Sequence, residues 1–107
     1  MARIVEYVRI DGSGPFAVWF RELDAVAAAK ITVALARISA GNTSNLKGVG
    51  GGVLEWKVNF GPGYRIYLGR DGERLVVLLG GGSKRHQSRD VRAAIERWRD
   101  YKQRRGE

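Results

Sequence analysis

Residues 55–68 read EWKVNFGPGYRIYL and alternate polar and apolar side chains on both sides of a Gly-Pro-Gly corner at 61–63. Alternation with a period of two is typical of strands that bury one face, so the stretch predicts a hairpin of strands 53–60 and 64–69. Its apolar face carries Trp56, Val58, Phe60, Tyr64, Ile66 and Leu68. Its polar face carries Glu55, Lys57, Asn59, Arg65 and Tyr67. The hairpin therefore offers one surface to a core and the other to solvent or to a ligand.

The turn of the hairpin determines which residues face each other. Two facing residues must lie on the same side of the sheet, and a three-residue turn at 61–63 meets this condition. It predicts the pairs Phe60–Tyr64, Val58–Ile66, Trp56–Leu68, Asn59–Arg65 and Lys57–Tyr67.

Further strands and helices flank the hairpin. Asp24 has a carboxylate that can accept the free N–H groups of a helix start, and Gly41 is a typical helix end, so a helix is predicted between them. The sequence RLVVLLG is apolar on both faces and predicts a strand that is covered on each side. The remaining predictions are strands 3–10 and 74–80, helices 15–22, 25–40 and 88–104, a flexible loop over 41–52, a turn over 70–73 and a flexible junction over 80–84. The whole is an α+β domain over 1–107, in the order β-α-α-β-β-β-α, with a mostly antiparallel sheet, an N-terminal helix pair and a C-terminal helix.

Composition limits the class of protein. Nineteen Lys and Arg against eleven Asp and Glu give a net charge of +8, which favours a polyanionic partner, most often nucleic acid; basic surfaces also serve solubility or pair with acidic proteins. No apolar run approaches the roughly 20 residues of a membrane span, and the N-terminus lacks the apolar region of a signal peptide. With no cysteine and one histidine, we expect a cytoplasmic protein with no membrane contact, no metal and no cofactor.

The polar face of the hairpin is a candidate anion site. Lys57 and Arg65 are near neighbours on adjacent strands, and two cations that close repel each other unless a negative group lies between them. They suit a phosphate, with Arg65 gripping two oxygens and Lys57 acting as a point charge. A solvated polar face is an equally good reading, in which Glu55 forms a simple salt bridge to one of the two cations.

The segment after the buried strand adds Lys84, Arg85, His86 and Gln87 just before a helix, where anions are favoured. Histidine is the side chain that ordinarily exchanges protons near neutral pH, so His86 is a candidate general acid or base; as a loop residue it also fits a plain surface position. RNA cleavage needs no metal if the 2′-hydroxyl attacks its own phosphate while cations stabilise the extra charge. Lys57, Arg65 and Lys84 suit that task.

Two segments, GGGVLEWKVNFGPGYRIYL and VVLLGGGSKRHQSRDVRAAIERWRDYKQR, resemble the RelE/ParE toxin superfamily. The resemblance is strongest to its HigB-like branch, which is related to phage Gp49 proteins and is often called addiction module killer proteins. That branch has the pattern Gly-Val-x-Glu-x-Arg-Ile/Val, followed by Gly-Pro-Gly-Tyr-Arg-x-Tyr and then by Leu-Leu-x-Gly-Gly-Asp-Lys-x-x-Gln. Glu55, Arg65, Lys84 and Gln87 match the branch pattern directly, and Lys57 stands where arginine is usual.

The resemblance implies a RelE-like fold and the toxin of a type II toxin–antitoxin pair, an mRNA interferase that cleaves translated mRNA at the ribosome. The residues expected to act in cleavage are Glu55, Lys57, Arg65, Lys84 and His86. The residues expected to bind RNA are Lys47, Asn59, Tyr67, Arg85, Gln87 and Arg92. Tyr67 is expected to stack on a base or to donate a proton.

The same resemblance implies partners and an alternative. The expected partners are a cognate antitoxin, a small helix-turn-helix protein, together with mRNA and the ribosome; operator DNA is reached only through the antitoxin. Some members of the superfamily poison gyrase and have no nuclease activity, which is the alternative function. A generic basic RNA-binding module is a third reading, favoured if the protein expressed alone does not arrest growth.

Overall fold

A computed structural model describes residues 1–106 of the chain. In chain order its elements are β1 (Arg3–Glu6), α1 (Pro15–Arg21), α2 (Ala25–Ser39), β2 (Leu46–Gly50), β3 (Val53–Val58), β4 (Tyr64–Asp71), β5 (Leu75–Ser83), a 3₁₀ turn (Lys84–His86) and α3 (Gln87–Arg104). The predicted α+β class, the pair of early helices and the C-terminal helix are confirmed. So are the ends of α2: the Ala27 N–H donates to the Asp24 carboxylate at 2.8 Å, and Gly41 follows the helix at a φ of 93°.

The five strands form one sheet in the order β1-β5-β4-β3-β2. β1 runs parallel to β5 and all other neighbours are antiparallel. β5 is buried on both faces as predicted, since Val76 and Leu78 pack on one side while Val77 and Leu79 pack on the other.

The two faces of the sheet have separate cores. One face packs against α1 and α2 through residues that include Phe16, Ile31, Trp56, Ile66 and Leu68. The other face packs against α3, and its core consists of Tyr7, Val53, Tyr67, Val77, Leu79, Ala94 and Trp98. The polar face of the hairpin, which was predicted to meet solvent or a ligand, is therefore covered in part by α3, at Val53 and Tyr67.

Segment 41–52, predicted as a flexible loop, contains the edge strand β2. Leu46 and Lys47 pair with Trp56 and Glu55 of β3, and a bulge after Gly48 carries the strand on to Gly50. This segment is rich in glycine and has no alternating pattern, so its strand conformation comes from pairing with β3 and not from local preference.

The predicted register of the hairpin is wrong by two residues. Lys57 faces Arg65, Glu55 faces Tyr67 and Val58 faces Tyr64, so the sheet faces are as predicted but the partners differ. The physical reason lies in the loop 59–63, where the Phe60 N–H donates to the Val58 carbonyl and the Gly63 N–H donates to the Phe60 carbonyl. These local bonds remove residues 59 and 60 from the ladder and make the connection five residues long.

The predicted flexible junction at 80–84 is also a strand for most of its length. Residues 80–83 continue β5 and pair with β4 as far as Ser83–Tyr64. Large side chains pack directly against the backbone of these glycines: a Cβ at position 81 would lie 2.3 Å from the ring of Trp19. Glycine is thus required for close packing and not for flexibility.

None of the helices in residues 1–106 has the length and apolar character needed to cross a membrane.

Candidate functional site

The candidate site lies at one end of the sheet, where the loop 59–63 meets the end of β5 and the 3₁₀ turn. The Arg65 guanidinium donates through Nη1 to the Gly63 carbonyl at 2.5 Å. The Lys84 N–H points to the Pro62 carbonyl, at a longer 3.4 Å. The loop that carries the Gly-Pro-Gly corner is therefore held from two sides, by β4 and by the residue that follows β5.

Beneath this loop lies a buried polar cluster of Glu55, Arg65, Tyr67, Gln87 and Asp90. Glu55 is 5% exposed, Arg65 is 4% exposed and Tyr67 is fully buried. Arg65 Nε lies 3.9 Å from Glu55 Oε2, and Gln87 Nε2 donates to the same oxygen at 2.8 Å. The first turns of α3 therefore cover Glu55, Arg65 and Tyr67, whereas Lys57 and Asn59 of the same polar face stay exposed. The salt bridge of Glu55 to one of the two cations is present, with Arg65 as the partner.

Three atoms of the buried polar cluster have no hydrogen-bond partner: Arg65 Nε, the Tyr67 hydroxyl and Asp90 Oδ2. Burial raises the pKa of Tyr67, and the charges of Glu55 and Asp90 raise it further. The phenol therefore stays protonated at neutral pH. Its ring offers no exposed surface to a base, so the structure does not place Tyr67 for the stacking that was expected of it.

Asp90 is the member that sequence reasoning missed. Its carboxylate packs directly onto the backbone of Gly82, in space that any side chain at position 82 would occupy. The available signal was spacing, because Gln87 and Asp90 are three residues apart and so lie on one face of a helix. That face points toward the sheet.

Around the buried polar cluster lie exposed cations. Lys57 projects from β3 opposite Arg65, and Lys84 and Arg85 occupy the 3₁₀ turn together with His86. All four side chains are exposed. Within residues 1–106 no ion pair involves Lys57, Lys84 or Arg85, so their charge is available to an anion.

The other predicted RNA-binding residues are more dispersed. Lys47 sits on the edge strand β2 directly opposite Glu55, and Asn59 lies in the loop after β3; both are exposed. Arg92 is exposed on α3, five residues after Gln87. The structure thus brings Glu55, Arg65, Tyr67 and Gln87 into contact and leaves Lys47 and Arg92 farther along their own elements.

Residues 1–106 contain no group of three or more His, Asp or Glu side chains arranged to hold a metal ion. The side chains at the site are a buried carboxylate–guanidinium pair, a neutral phenol and a rim of exposed cations.

Comparison with known proteins gives one informative relative. No family model matches the chain. An uncharacterized protein of Haemophilus influenzae is 35% identical to it over 88 residues, which is 81% of this chain and 89% of that protein.

Proposed function

We propose that this chain, which belongs to the same family as the Haemophilus influenzae protein, is the toxin of a type II toxin–antitoxin pair. In this proposal it has the RelE-like topology, acts in the cytoplasm and cleaves mRNA at the ribosome. Its antitoxin is a small helix-turn-helix protein. The proposal combines the resemblance to HigB-like toxins with the arrangement of charge around the loop 59–63.

One observation carries the proposal. Lys57, Lys84 and Arg85 are exposed at the same end of the sheet, and no ion pair within the described part of the chain neutralises them. Lys57 lies near the end of β3, just before the loop 59–63, and Lys84 and Arg85 follow β5 beside that loop. Cations that flank one loop in this way are suited to a phosphate whose charge increases during a reaction. A merely solvated surface does not require the bracing that Arg65 and the Lys84 backbone supply.

The proposed reaction is transesterification of RNA. The 2′-oxygen forms a bond to the adjacent phosphorus while the bond from phosphorus to the 5′-oxygen breaks, which leaves a 2′,3′-cyclic phosphate and a 5′-hydroxyl. Lys57 and Lys84 stabilise the added charge on the phosphorane. In the proposal His86, exposed in the 3₁₀ turn, either accepts the proton of the 2′-hydroxyl or donates a proton to the leaving 5′-oxygen, and water carries out the other transfer.

Arg65 supports this site from below. It is buried, holds the Gly63 carbonyl and lies 3.9 Å from the carboxylate of Glu55. Its charge acts on the loop through a poorly solvated interior, where electrostatic interactions are stronger than in water. In the proposal Arg65 therefore orients the loop and adds to the field at the phosphate, and Gln87 orients Glu55.

The test is expression of the chain without its antitoxin, followed by primer extension on cellular transcripts. We expect growth arrest and new 5′ ends soon after induction. Growth arrest with intact mRNA and accumulating gyrase-linked DNA breaks contradicts the nuclease and supports the gyrase alternative.

Lys84→Ala is the informative variant for the chemistry, because the side chain is exposed and its loss leaves the fold intact. Loss of one electrostatic contact to a transition state reduces the rate on the order of 10²-fold. Arg74→Ala is the matched control, since it removes an exposed cation at the opposite end of the sheet. Equal single-turnover cleavage rates for the two variants contradict the assignment of Lys84. Arg65→Ala is less informative, since removing one partner of a buried ion pair costs about 3–5 kcal/mol of stability.

A further inference from the structure

A second basic surface lies on the other side of the loop 59–63, in a groove between α2 and the end of β3. The groove has a volume of about 350 Å³ and is lined by Lys30, Val33, Ala34, Arg37, Asn45, Trp56, Lys57, Val58, Asn59 and Phe60. It exists because β2 begins only at Leu46, which pairs with Trp56, so the last residues of β3 have no neighbour on that side. Neither Lys30 nor Arg37 has a part in the site described above.

The charge of this groove is entirely positive. Lys30, Arg37 and Lys57 are its ionisable lining residues, of which Lys57 near the end of β3 is shared with the site described above, and no carboxylate lines it. None of the three forms an ion pair within residues 1–106. Three cations around one groove give it a positive potential, which favours a ligand that carries more than one negative charge.

The groove also has an ordered and partly apolar wall. The Lys30 ammonium lies over the Phe60 ring, 5.4 Å from its centre, an arrangement that holds the cation in place. Asn45 and Asn59 add amide groups that both donate and accept hydrogen bonds. A volume of about 350 Å³ is near the lower end of the ~300–1,000 Å³ typical of small-ligand sites and suits one or two nucleotides of a single strand.

Position connects the groove to the proposed reaction. Asn59 and Phe60 belong to the same five-residue loop that Arg65 and Lys84 hold from the other side. A strand that leaves the groove along this loop therefore reaches the exposed cations of the 3₁₀ turn.

We propose that the groove between α2 and β3 is a phosphodiester-binding subsite, in which Lys30 and Arg37 hold the backbone of single-stranded RNA next to the loop 59–63. This inference rests on the proposed function in one respect, the choice of RNA as the polyanion that binds in the groove. Its test measures binding, so it is independent of whether the chain cleaves RNA.

The experiment compares three full-length proteins: wild type, Lys30→Ala/Arg37→Ala, and a control, Arg3→Ala/Arg74→Ala. Each pair removes two exposed cations, and alanine is favourable at the two helix positions. Arg3 lies on β1, about 14 Å or three strand spacings from β3, and Arg74 directly precedes β5, about 10 Å or two spacings from β3. The probe is a fluorescent single-stranded RNA of about 10 nucleotides with 2′-O-methyl groups, which cannot be cleaved by 2′-attack. Anisotropy is measured over a range of salt concentrations, after melting curves have established that all three proteins fold.

We expect Lys30→Ala/Arg37→Ala to bind the probe about tenfold more weakly than the control at about 0.1 M salt. The slope of log K against log salt should fall by about 1.4, the value for two lost phosphate contacts on a single strand. Equal affinities and slopes for the two double variants overturn the proposal, because only diffuse charge is then involved. A competition experiment gives a second criterion, with a polyglutamate peptide of the same charge as the RNA. If this peptide displaces the probe from wild-type protein as effectively as unlabelled RNA does, the proposal is overturned in favour of an acidic protein partner. If wild-type protein leaves cellular mRNA intact while the groove variants lose binding as expected, the proposed nuclease fails and the subsite is retained.

Discussion

Tyr67 is a residue whose polar group is placed at an energetic cost. Its hydroxyl is fully buried and forms no hydrogen bond of normal geometry, only a weaker interaction with the Glu55 carboxylate. Burying a hydroxyl without a full hydrogen bond costs about 1–3 kcal/mol. The neighbouring carboxylates of Glu55 and Asp90, together with burial, raise the pKa of the phenol and keep it neutral. The hydroxyl is therefore a poor contributor to stability and a candidate contributor to function.

We predict that Tyr67→Phe retains or raises the midpoint of urea unfolding, because it removes an unpaired polar group and preserves the packing of the ring. Tyr101→Phe is the matched control. The Tyr101 hydroxyl donates to Asp71 at 2.9 Å, so its loss should lower stability by about 0.5–1.5 kcal/mol. If Tyr67→Phe lowers the free energy of unfolding more than Tyr101→Phe does, the view that the Tyr67 hydroxyl is unpaired is wrong.

α3 illustrates how an element is fitted to the sheet by small residues beneath it. A Cβ at position 69 would lie 2.5 Å from the Trp98 ring, and the Trp98 and Tyr101 rings stack with centres 5.3 Å apart. The helix can lie this close because β4 has no side chain at that point. Its C-terminal end is further held by Tyr7, whose hydroxyl donates to Asp100 at 2.6 Å.

Gly69→Ala should therefore force Trp98 and α3 away from the sheet and destabilise the fold by about 1–3 kcal/mol, the usual cost of overpacking. Gly48→Ala provides the control, since a Cβ at position 48 of the edge strand β2 would meet nothing within 4 Å. Chemical unfolding of both variants gives the comparison. Equal stabilities would show that Trp98 relaxes without cost.

The same helix end gives a pH dependence with a definite sign. Hydrogen bonds from Arg105 and from Tyr101 hold the pKa of Asp71 below its ordinary value. A carboxyl group whose pKa is lowered by folding contributes stability above its ordinary pKa, near 4, and loses that contribution as the pH falls through the lowered value.

We predict that Asp71→Asn has a lower melting temperature than wild type at pH 6 and that the difference narrows as the pH is lowered from about 4 to about 2. The reason is that the neutral amide forms no ion pair with Arg105 at any pH, whereas the carboxylate loses its negative charge on protonation. Melting curves at a series of pH values provide the measurement. A constant difference down to pH 2 would contradict the assigned cause.

At the scale of the whole molecule, the basic residues fall into two groups: some form hydrogen bonds and ion pairs that stabilise the fold, and others are exposed without an ion-pair partner. The Arg104 guanidinium donates to Asp100 and to the Val8 carbonyl, and Arg105 pairs with Asp71. Arg92 and Arg99 on the same helix are exposed and form no ion pair within residues 1–106. The basic C-terminal segment therefore contains both structural cations and cations available to a polyanion.

Arg92→Ala/Arg99→Ala should weaken RNA or ribosome binding and reduce its salt dependence, with no change in melting temperature. If both residues meet phosphates of single-stranded RNA, the slope of log K against log salt should fall by about 1.4. Arg104→Ala, in contrast, should lower the melting temperature because it frees the end of α3. An unchanged salt slope in the Arg92/Arg99 variant would mean that this face of the helix is only solvated.

Much of the architecture follows from patterns that span a few residues. Alternation over 55–68 predicted which hairpin residues share a face, and the doubly apolar run of β5 predicted that both sides of the strand are covered. Asp24 and Gly41 predicted the ends of α2. These features depend on hydrophobic periodicity and on local hydrogen bonds. Both involve residues that are near neighbours in the chain, so they can be predicted from the sequence.

The tertiary structure alone determined the strand β2, the hairpin register and the burial of the polar cluster. Segment 46–50 has no hydrophobic pattern of its own and becomes a strand only by pairing with β3. The hairpin register depends on the loop hydrogen bonds at Phe60 and Gly63. The sequence is equally compatible with a three-residue and a five-residue loop, so it does not predict these bonds. Alternation shows that Glu55, Arg65 and Tyr67 share a face, but it carries no information about what lies over that face. α3 covers this polar face because Gly69 and Gly82 allow the helix to approach the sheet closely. The contacts between α3 and the sheet join residues about 10–30 positions apart in the chain, and a local sequence pattern does not report on such contacts.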